Sequence, residues 1–429
     1  MKQNNWLILA SAAFLLATAL LPSIARPADS PDNGPLLTQA GKDVSDDAVD
    51  RTASDAATKS NSANDAPAAD ESAKAKHHLT PAQAALRDQV RQTLANFRKQ
   101  PFDTRQNTAG DIMDFCLAYG CNTEITLHNA SGERRANGIT CLCWNFPCGG
   151  FEPLTVNDGH IIARLGYGAQ SQPSQLLATL AFARVQANYP LRADNTVRTV
   201  ADLVESEKLG CREGADMSLK LVGLAYFAEE GDWKNDAGEE WSVEKIVRAE
   251  LNRPAMNAGE SGLNRLLGLA YAKYRRVKRN QPLEGQYARA DKYLADFHKF
   301  AFNVQNADGS WGYFLAARGS SKDPLASLRS TAYVLDWLAL SLPEDQLGDT
   351  RVTAAVSYVV QGLNTQRNRA ASNLPSREIN SIARALHGLS VYDDRFYATA
   401  AEDKPPAEKP TEKTAAKPSG DSRSLRPAG

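Results

Sequence analysis

The chain has almost no net charge. Its 49 Lys and Arg balance 50 Asp and Glu, leaving −1 with His neutral. That balance excludes a large uniform basic surface, so broad electrostatic binding to nucleic acid is not expected. Mean hydropathy is −0.43, which excludes a polytopic membrane protein. Also missing are a Gly-rich phosphate loop, a His-Glu-x-x-His helix and a Gly-x-Ser-x-Gly elbow, the short signatures of nucleotide-phosphate binding, zinc proteolysis and serine hydrolysis. What the chain does have is length and core material. It has 429 residues, 42% of them hydrophobic; at roughly 150 residues per domain, that length allows about three domains.

The two ends do not read as folded domain. Lys2 precedes an uncharged apolar run, Trp6 to Leu21, which Pro22 breaks. Ser23-Ile24-Ala25 then places small residues where a signal peptidase cuts. The run is shorter than the ~20 residues a spanning helix needs, so residues 1–25 are expected to be a secretory signal peptide. No stable membrane span is expected once it is removed. Residues 26–78 are rich in Ala, Asp, Ser and Asn, and residues 399–429 contain several Pro and no aromatic. Neither stretch can bury enough apolar surface to offset its ordering entropy, so both are expected to be disordered, one as a spacer and one as a tail.

The remaining stretch, 79–398, repeats. Thr179-Leu-Ala-Phe182, Gly223-Leu-Ala-Tyr226 and Gly268-Leu-Ala-Tyr271 recur at a period of about 45 residues, each within an apolar helical segment. Thr199-Val-Ala-Asp-Leu-Val204 and Ser242-Val-Glu-Lys-Ile-Val247 recur in the same way between them. Extended along the chain, helices apolar on most sides are predicted near 110–120, 174–188, 217–228, 261–275, 325–342 and 378–392. More polar helices are predicted near 82–98, 137–145, 199–209, 242–252, 287–304 and 351–365. Helices apolar all round are buried, and helices with a polar face lie outside. The fold class is therefore expected to be all-α: an (α/α)6 toroid of alternating inner and outer helices, with an open solenoid fitting the same period. Thr80-Pro81, Asp323-Pro324 and the Thr199/Asp202 pair supply helix starts. A β-hairpin insertion is expected near 122–172, where Asn157-Asp158-Gly159 separates two β-prone runs, and the stretch from Thr123 to Arg135 is a candidate for a second hairpin.

One loop carries a family resemblance. Gln305-Asn-Ala-Asp308-Gly309-Ser-Trp311-Gly312 resembles the Gln-Trp motif of terpenoid cyclases and related α/α-toroid proteins, in which the Gln and Trp tie an outer helix to its neighbour. Ala301 stands where that pattern has an aliphatic residue, and Gly231-Asp-Trp233 with Trp241 lacks the Gln. The resemblance implies a structural role for Gln305, Gly309 and Trp311. The chain is also similar to an uncharacterised family of exported bacterial proteins. The segments that carry this are Leu142-Cys-Trp-Asn-Phe-Pro-Cys148, Ile162-Ala-Arg-Leu-Gly-Tyr-Gly168, Thr199 to Val204, Asp232-Trp233, and Arg377-Glu-Ile379 with Leu386-His387. That similarity implies one intact helical module and no particular chemistry. Where the family pattern has Gly-His-Pro-Gly-Gln, this chain has Gln170-Ser-Gln-Pro-Ser-Gln175.

The chemistry of toroid enzymes is not visible. The only string near an Asp-x-Asp-Asp protonation motif, Asp43-Val-Ser-Asp46-Asp47, has the wrong spacing and lies in the spacer. The zinc ligands of protein prenyltransferases and the Cys-Gly-Glu-Gln of thioester domains are absent. No metal or cofactor is implied. A sugar-cleaving enzyme would need two carboxylates across a cleft. Asp216, Glu260, Asp308, Asp323 and Glu378 lie at the expected N-terminal ends of inner helices, where helix capping is the competing role. Two inner helices carry polar faces at i, i+4, i+7 spacing: Arg329, Tyr333 and Asp336 on the fifth, and Asn380, Arg384 and His387 on the sixth. With Asp308, Trp311 and Asp323, these residues are the candidate lining of a central cavity; a buried salt-bridged network is the alternative.

The six Cys are residues 116, 121, 141, 143, 148 and 211. Their spacing fits no zinc signature, and in an exported chain they can form disulfides. Cys148 and Cys211 are expected to approach each other, with Cys143 as the rival partner. The sequence thus points to an exported binding or scaffold module for an unidentified ligand or envelope component, periplasmic or extracellular. A carbohydrate-active hydrolase or lyase is the alternative, and a terpenoid cyclase-like enzyme ranks behind it.

Overall fold

The computed structural model describes residues 77–99, 102–129, 132–228, 231–253, 260–312, 315, 319, 323–367 and 374–400. The signal peptide, residues 26–76 of the spacer and residues 401–429 of the tail lie outside the described residues. The expected spacer boundary shifts slightly: the His77 ring stacks on Phe396 at 4.6 Å, so it packs on the folded part.

Twelve α-helices are present among the described residues, at the twelve predicted places. The six apolar ones are α2 (Ala109–Tyr119), α4 (Gln175–Phe182), α6 (Ser218–Phe227), α8 (Glu260–Lys278), α10 (Pro324–Ser341) and α12 (Ser376–Tyr392). The other six are α1 (Pro81–Arg98), α3 (Gly138–Cys143), α5 (Val200–Leu209), α7 (Val243–Asn252), α9 (Gly285–Val304) and α11 (Thr350–Gln366). Five carry the expected polar face, whereas α3 is buried at every residue but Thr140, its short Gly-Ile-Thr-Cys-Leu-Cys sequence having no charged side chain to present to water. Thr80 begins α1 as a capping box with Gln83, with Pro81 in the first turn. Thr199 and Asp202 form the same reciprocal pair at α5. Asp323 caps α10 by accepting from the Leu325 amide at 2.9 Å, ahead of Pro324. Each of these caps satisfies an amide that has no partner within its helix.

The apolar helices form one continuous core. Each packs on the next in the series α2, α4, α6, α8, α10, α12, and α12 returns to pack on α2. Among the polar-faced helices, α1 packs on α11 and α12, α5 on α6, α7 on α6 and α8, α9 on α8, and α11 on α10. The repeated Gly-Leu-Ala explains part of this spacing. A Cβ on Gly268 would lie 2.5 Å from the Ser218 carbonyl oxygen, and one on Gly223 would lie 2.5 Å from a Leu177 methyl. The glycines therefore set how closely α8 approaches α6 and α6 approaches α4. Gly268→Ala is expected to destabilise the fold by about 1–3 kcal/mol, because the obstructing atom is backbone. Gly223→Ala should cost less, since a leucine side chain can move. Urea unfolding of both variants checks the order.

The expected β insertion holds both candidate hairpins, and one of them gains a third strand. β2 (Glu124–Asn129) pairs antiparallel with β3 (Gly132–Asn137), and β1 (Phe102–Asp103) adds to β2 in parallel. β4 (Leu154–Asn157) and β5 (His160–Ala163) close around Asp158 and Gly159, both at positive φ, as a two-residue hairpin turn requires. Two further hairpins were not expected from the sequence: β6 (Pro190–Ala193) with β7 (Thr196–Thr199), and β8 (Trp233–Lys234) with β9 (Glu240–Trp241).

The Gln305–Trp311 loop is a tie between helices. The Gln305 side-chain amide donates to the carbonyls of Gly309 and Arg351, both at 2.9 Å. The Trp311 indole donates to the Ala301 carbonyl at 2.7 Å, and its backbone amide to the Thr331 hydroxyl at 3.1 Å. The loop thereby joins α9, α10 and α11, and Trp311 is wholly buried in it.

Candidate functional site

The polar faces of α10 and α12 meet each other inside the core. His387 Nδ1 lies 2.9 Å from each carboxylate oxygen of Asp336. The Arg384 guanidinium is 3.6 Å from the same carboxylate and stands over the Tyr333 ring at 4.8 Å. The His387 ring packs edge-on against Phe182 of α4 at 4.5 Å. Asp336, Arg384, His387 and Tyr333 are all buried, as is Arg329 one turn toward the start of α10. Asn380 extends the cluster to a third helix by donating to Asp114 of α2 at 2.8 Å.

Asp114 and Gln175 belong to this cluster and were not anticipated. The Gln175 side-chain amide donates to Asp114 at 2.9 Å, and its oxygen accepts from the Ser171 amide at 2.8 Å. The sequence signal was present in both cases: Asp114 is an acid inside an otherwise apolar helix, and Gln175 ends the Gln170–Gln175 segment. The rest of that segment is also bonded inward. Gln170 accepts from the Leu176 amide at 3.1 Å, and Gln172 accepts from Asn264 of α8 at 2.6 Å.

The remaining candidates do not join the cluster. Asp308 accepts from the amide and hydroxyl of Ser310 at 3.0 and 2.7 Å, Asp323 caps α10, and both are exposed. Trp311 lies in the helix tie. Asp216 accepts from the Ser218 amide at 3.1 Å and pairs with Arg253 at 3.1 Å. Asp216 therefore acts as an ion-pair partner and Asp323 as a helix cap. A groove of about 950 Å³ does exist elsewhere, at the C-terminal ends of α8 and α10, lined by His77, Lys273, Tyr274, Glu344, Arg395 and Phe396. None of the cluster residues reaches it. Among the described residues no group of three or more His, Cys, Asp or Glu is placed to hold a metal ion, and no helix is long and apolar enough to cross a membrane.

All six cysteines are thiols. The expected Cys148–Cys211 pair is not formed, nor is the alternative through Cys143. Cys148 turns back onto the helix it follows and meets Cys141, Sγ to Sγ at 3.8 Å. Cys211 follows α5, and its thiol lies 3.9 Å from the Glu207 carbonyl of that helix. Consecutive loops at one end of a helical array can thus face different neighbours.

Two buried groups give the fold opposing responses to acid. Burial pushes the Asp114 carboxyl up to about 6; a bond from Asn380 and the charge of Arg384 hold it from rising further. Burial, helped by Lys273, lowers His298 of α9 to about 4; its Nε2 is 2.7 Å from the Ser341 hydroxyl and its ring stacks on Trp337. Between pH 6 and 4 the folded chain takes up the Asp114 proton before the unfolded chain does, so acidification stabilises by up to about 3 kcal/mol through this group. Between pH 6.5 and 4 the unfolded chain protonates the histidine first, so acidification destabilises by a similar amount, about 3 kcal/mol. Asp114→Asn removes only the first effect. The variant should lose about 3 kcal/mol more stability than the native chain between pH 7 and pH 4, as read from urea unfolding at each pH.

The chain matches no protein-family model and no curated protein.

Proposed function

We propose that the folded part of the chain is an (α/α)6 toroid working outside the cytoplasm as a binding or scaffold module. The observation that carries this reading is the state of the centre. The side chains that would line a catalytic cavity, Tyr333, Asp336, Arg384 and His387, are buried against one another in an ion-paired cluster. A glycoside hydrolase or lyase needs two carboxylates with substrate between them, and here Asp308 is bonded to Ser310 within its own loop and Asp323 caps α10. The ring reading is supported by the return of α12 to α2, which an open solenoid would not make. Export is supported by the Lys2, Trp6–Leu21 and Ser23-Ile24-Ala25 pattern; it predicts a mature chain that begins at Arg26.

The experiment is a mass-spectrometric screen of cell-envelope glycans incubated with the purified protein. The proposal expects glycans to be retained by the protein or ignored, with no new chain ends. Cleavage products that form with the native protein and disappear with Asp308→Asn or Asp336→Asn would replace it with the carbohydrate-active reading.

A further inference from the structure

We propose that Cys141 and Cys148 form an intramolecular disulfide when the chain folds in an oxidising compartment, and that the other four cysteines remain thiols. Their approach is set by the backbone. Cys141 lies on α3, and Asn145, at φ 58°, reverses the chain just beyond it. The Asn145 side chain then clamps Leu154, accepting from its amide at 2.7 Å and donating to its carbonyl at 3.2 Å. The Phe146 amide donates back to the Cys141 carbonyl at 3.1 Å, Cys148 pairs with Phe151, and the Gly149 amide donates to Thr104 at 2.9 Å. These bonds hold both thiols inside the core with their sulfurs 3.8 Å apart. A disulfide needs about 2.05 Å between sulfurs, a closure that side-chain rotation can supply.

The other thiols are directed elsewhere. Cys116 packs against Gly138 and Thr123. Cys121 is 3.6 Å from the Ala183 carbonyl, and Cys211 is 3.9 Å from that of Glu207. Cys143 is two positions along a helix from Cys141, so the two side chains leave α3 in divergent directions.

The chemistry is two successive exchanges. One cysteine, as thiolate, attacks oxidised glutathione or a disulfide of an oxidising protein, giving a mixed disulfide and releasing one thiol. The second cysteine attacks that mixed disulfide, forming the Cys141–Cys148 bond and releasing the second thiol. Two electrons and, in sum, the two cysteine protons pass to the incoming disulfide, which leaves as two thiols. Hydrogen bonding from Cys148 and burial push the Cys141 thiol well up, so the exchange takes place before the core closes.

Inside the producing cell this inference rests on the export reading; in the test tube it does not. Full-length protein is refolded in a reduced and oxidised glutathione mixture, alkylated, and digested with chymotrypsin, which cuts at Trp144 between the two residues. The expected result is four alkylated thiols and one peptide pair joined across the Trp144 cut, two hydrogen masses lighter than the separate peptides. Cys143→Ser should keep the link and Cys141→Ser should abolish it. Six alkylated thiols, or a link between any other pair, would overturn the proposal. Protein recovered from the producing cell with residues 1–25 still attached would count against export alone.

Discussion

Arg384→Met is expected to cost the fold about 3–5 kcal/mol, the range for removing one partner of a buried ion pair. The guanidinium is 3% exposed and Asp336 is wholly buried. Methionine fills much of the volume but takes the guanidinium away from Asp336, which keeps its contact with His387 Nδ1, and leaves Asp114 without the charge that offsets its burial. Neither carboxylate can reach water to recover solvation. Combining Arg384→Met with Asp114→Asn should recover part of the loss, because one of the stranded charges is removed with its partner. Equilibrium urea unfolding measures both. A native-like midpoint for Arg384→Met would mean that water or another donor reaches the cluster.

Glu250→Ala should be comparably damaging, again about 3–5 kcal/mol. Glu250 sits on α7 and is wholly buried. Its carboxylate accepts from the Met217 amide at 2.8 Å and the Ser218 hydroxyl at 3.1 Å, so α7 caps the start of α6. It also accepts from Arg253 at 2.8 Å and lies 3.8 Å from Arg265. Alanine would take a buried carboxylate away from two poorly solvated guanidiniums, leaving Arg253 to Asp216 and Arg265 to the Arg253 carbonyl, and would uncap a helix at once. One repeat earlier, Glu207 of α5 makes the corresponding contact, accepting from Ser174 at 2.7 Å just ahead of α4, and pairs with Lys220 at 3.1 Å. Glu207 keeps more solvent than Glu250, so Glu207→Ala should cost less, about 1–2 kcal/mol. Equal losses at the two sites would contradict the role given to burial.

The helices were legible because two local signals agreed. Apolar residues on all sides marked the buried members, and Thr80, Thr199 and Asp323 marked starts by chemistry that acts within one turn. The polar faces of α10 and α12 were legible for the same reason, since i, i+4, i+7 spacing fixes a face without reference to the rest of the chain. What those faces meet was not legible. Asp114 is far from Asn380 in sequence, and only the packing of α2 on α12 joins them. The cysteine pairing failed for a related reason: Cys148 is aimed by Asn145 and its clamp on Leu154, not by which end of the helices its loop occupies. The β6–β7 hairpin was missed although Asp194 and Asn195, both at positive φ, form the kind of two-residue turn that was recognised at Asp158-Gly159.

The first and last apolar helices, α2 and α12, pack on each other, and the proposed ring requires this contact to be as stable as those between α4, α6 and α8. Hydrogen exchange read by mass spectrometry under native conditions tests it most directly. A closed arrangement predicts that α2 and α12 exchange together and as slowly as α6 and α8, and that Arg384→Met accelerates both by the same factor. Helices at the ends of an open solenoid would fray. Faster exchange in α2 and α12 than in α6 and α8, with Arg384→Met changing α12 alone, would contradict the account.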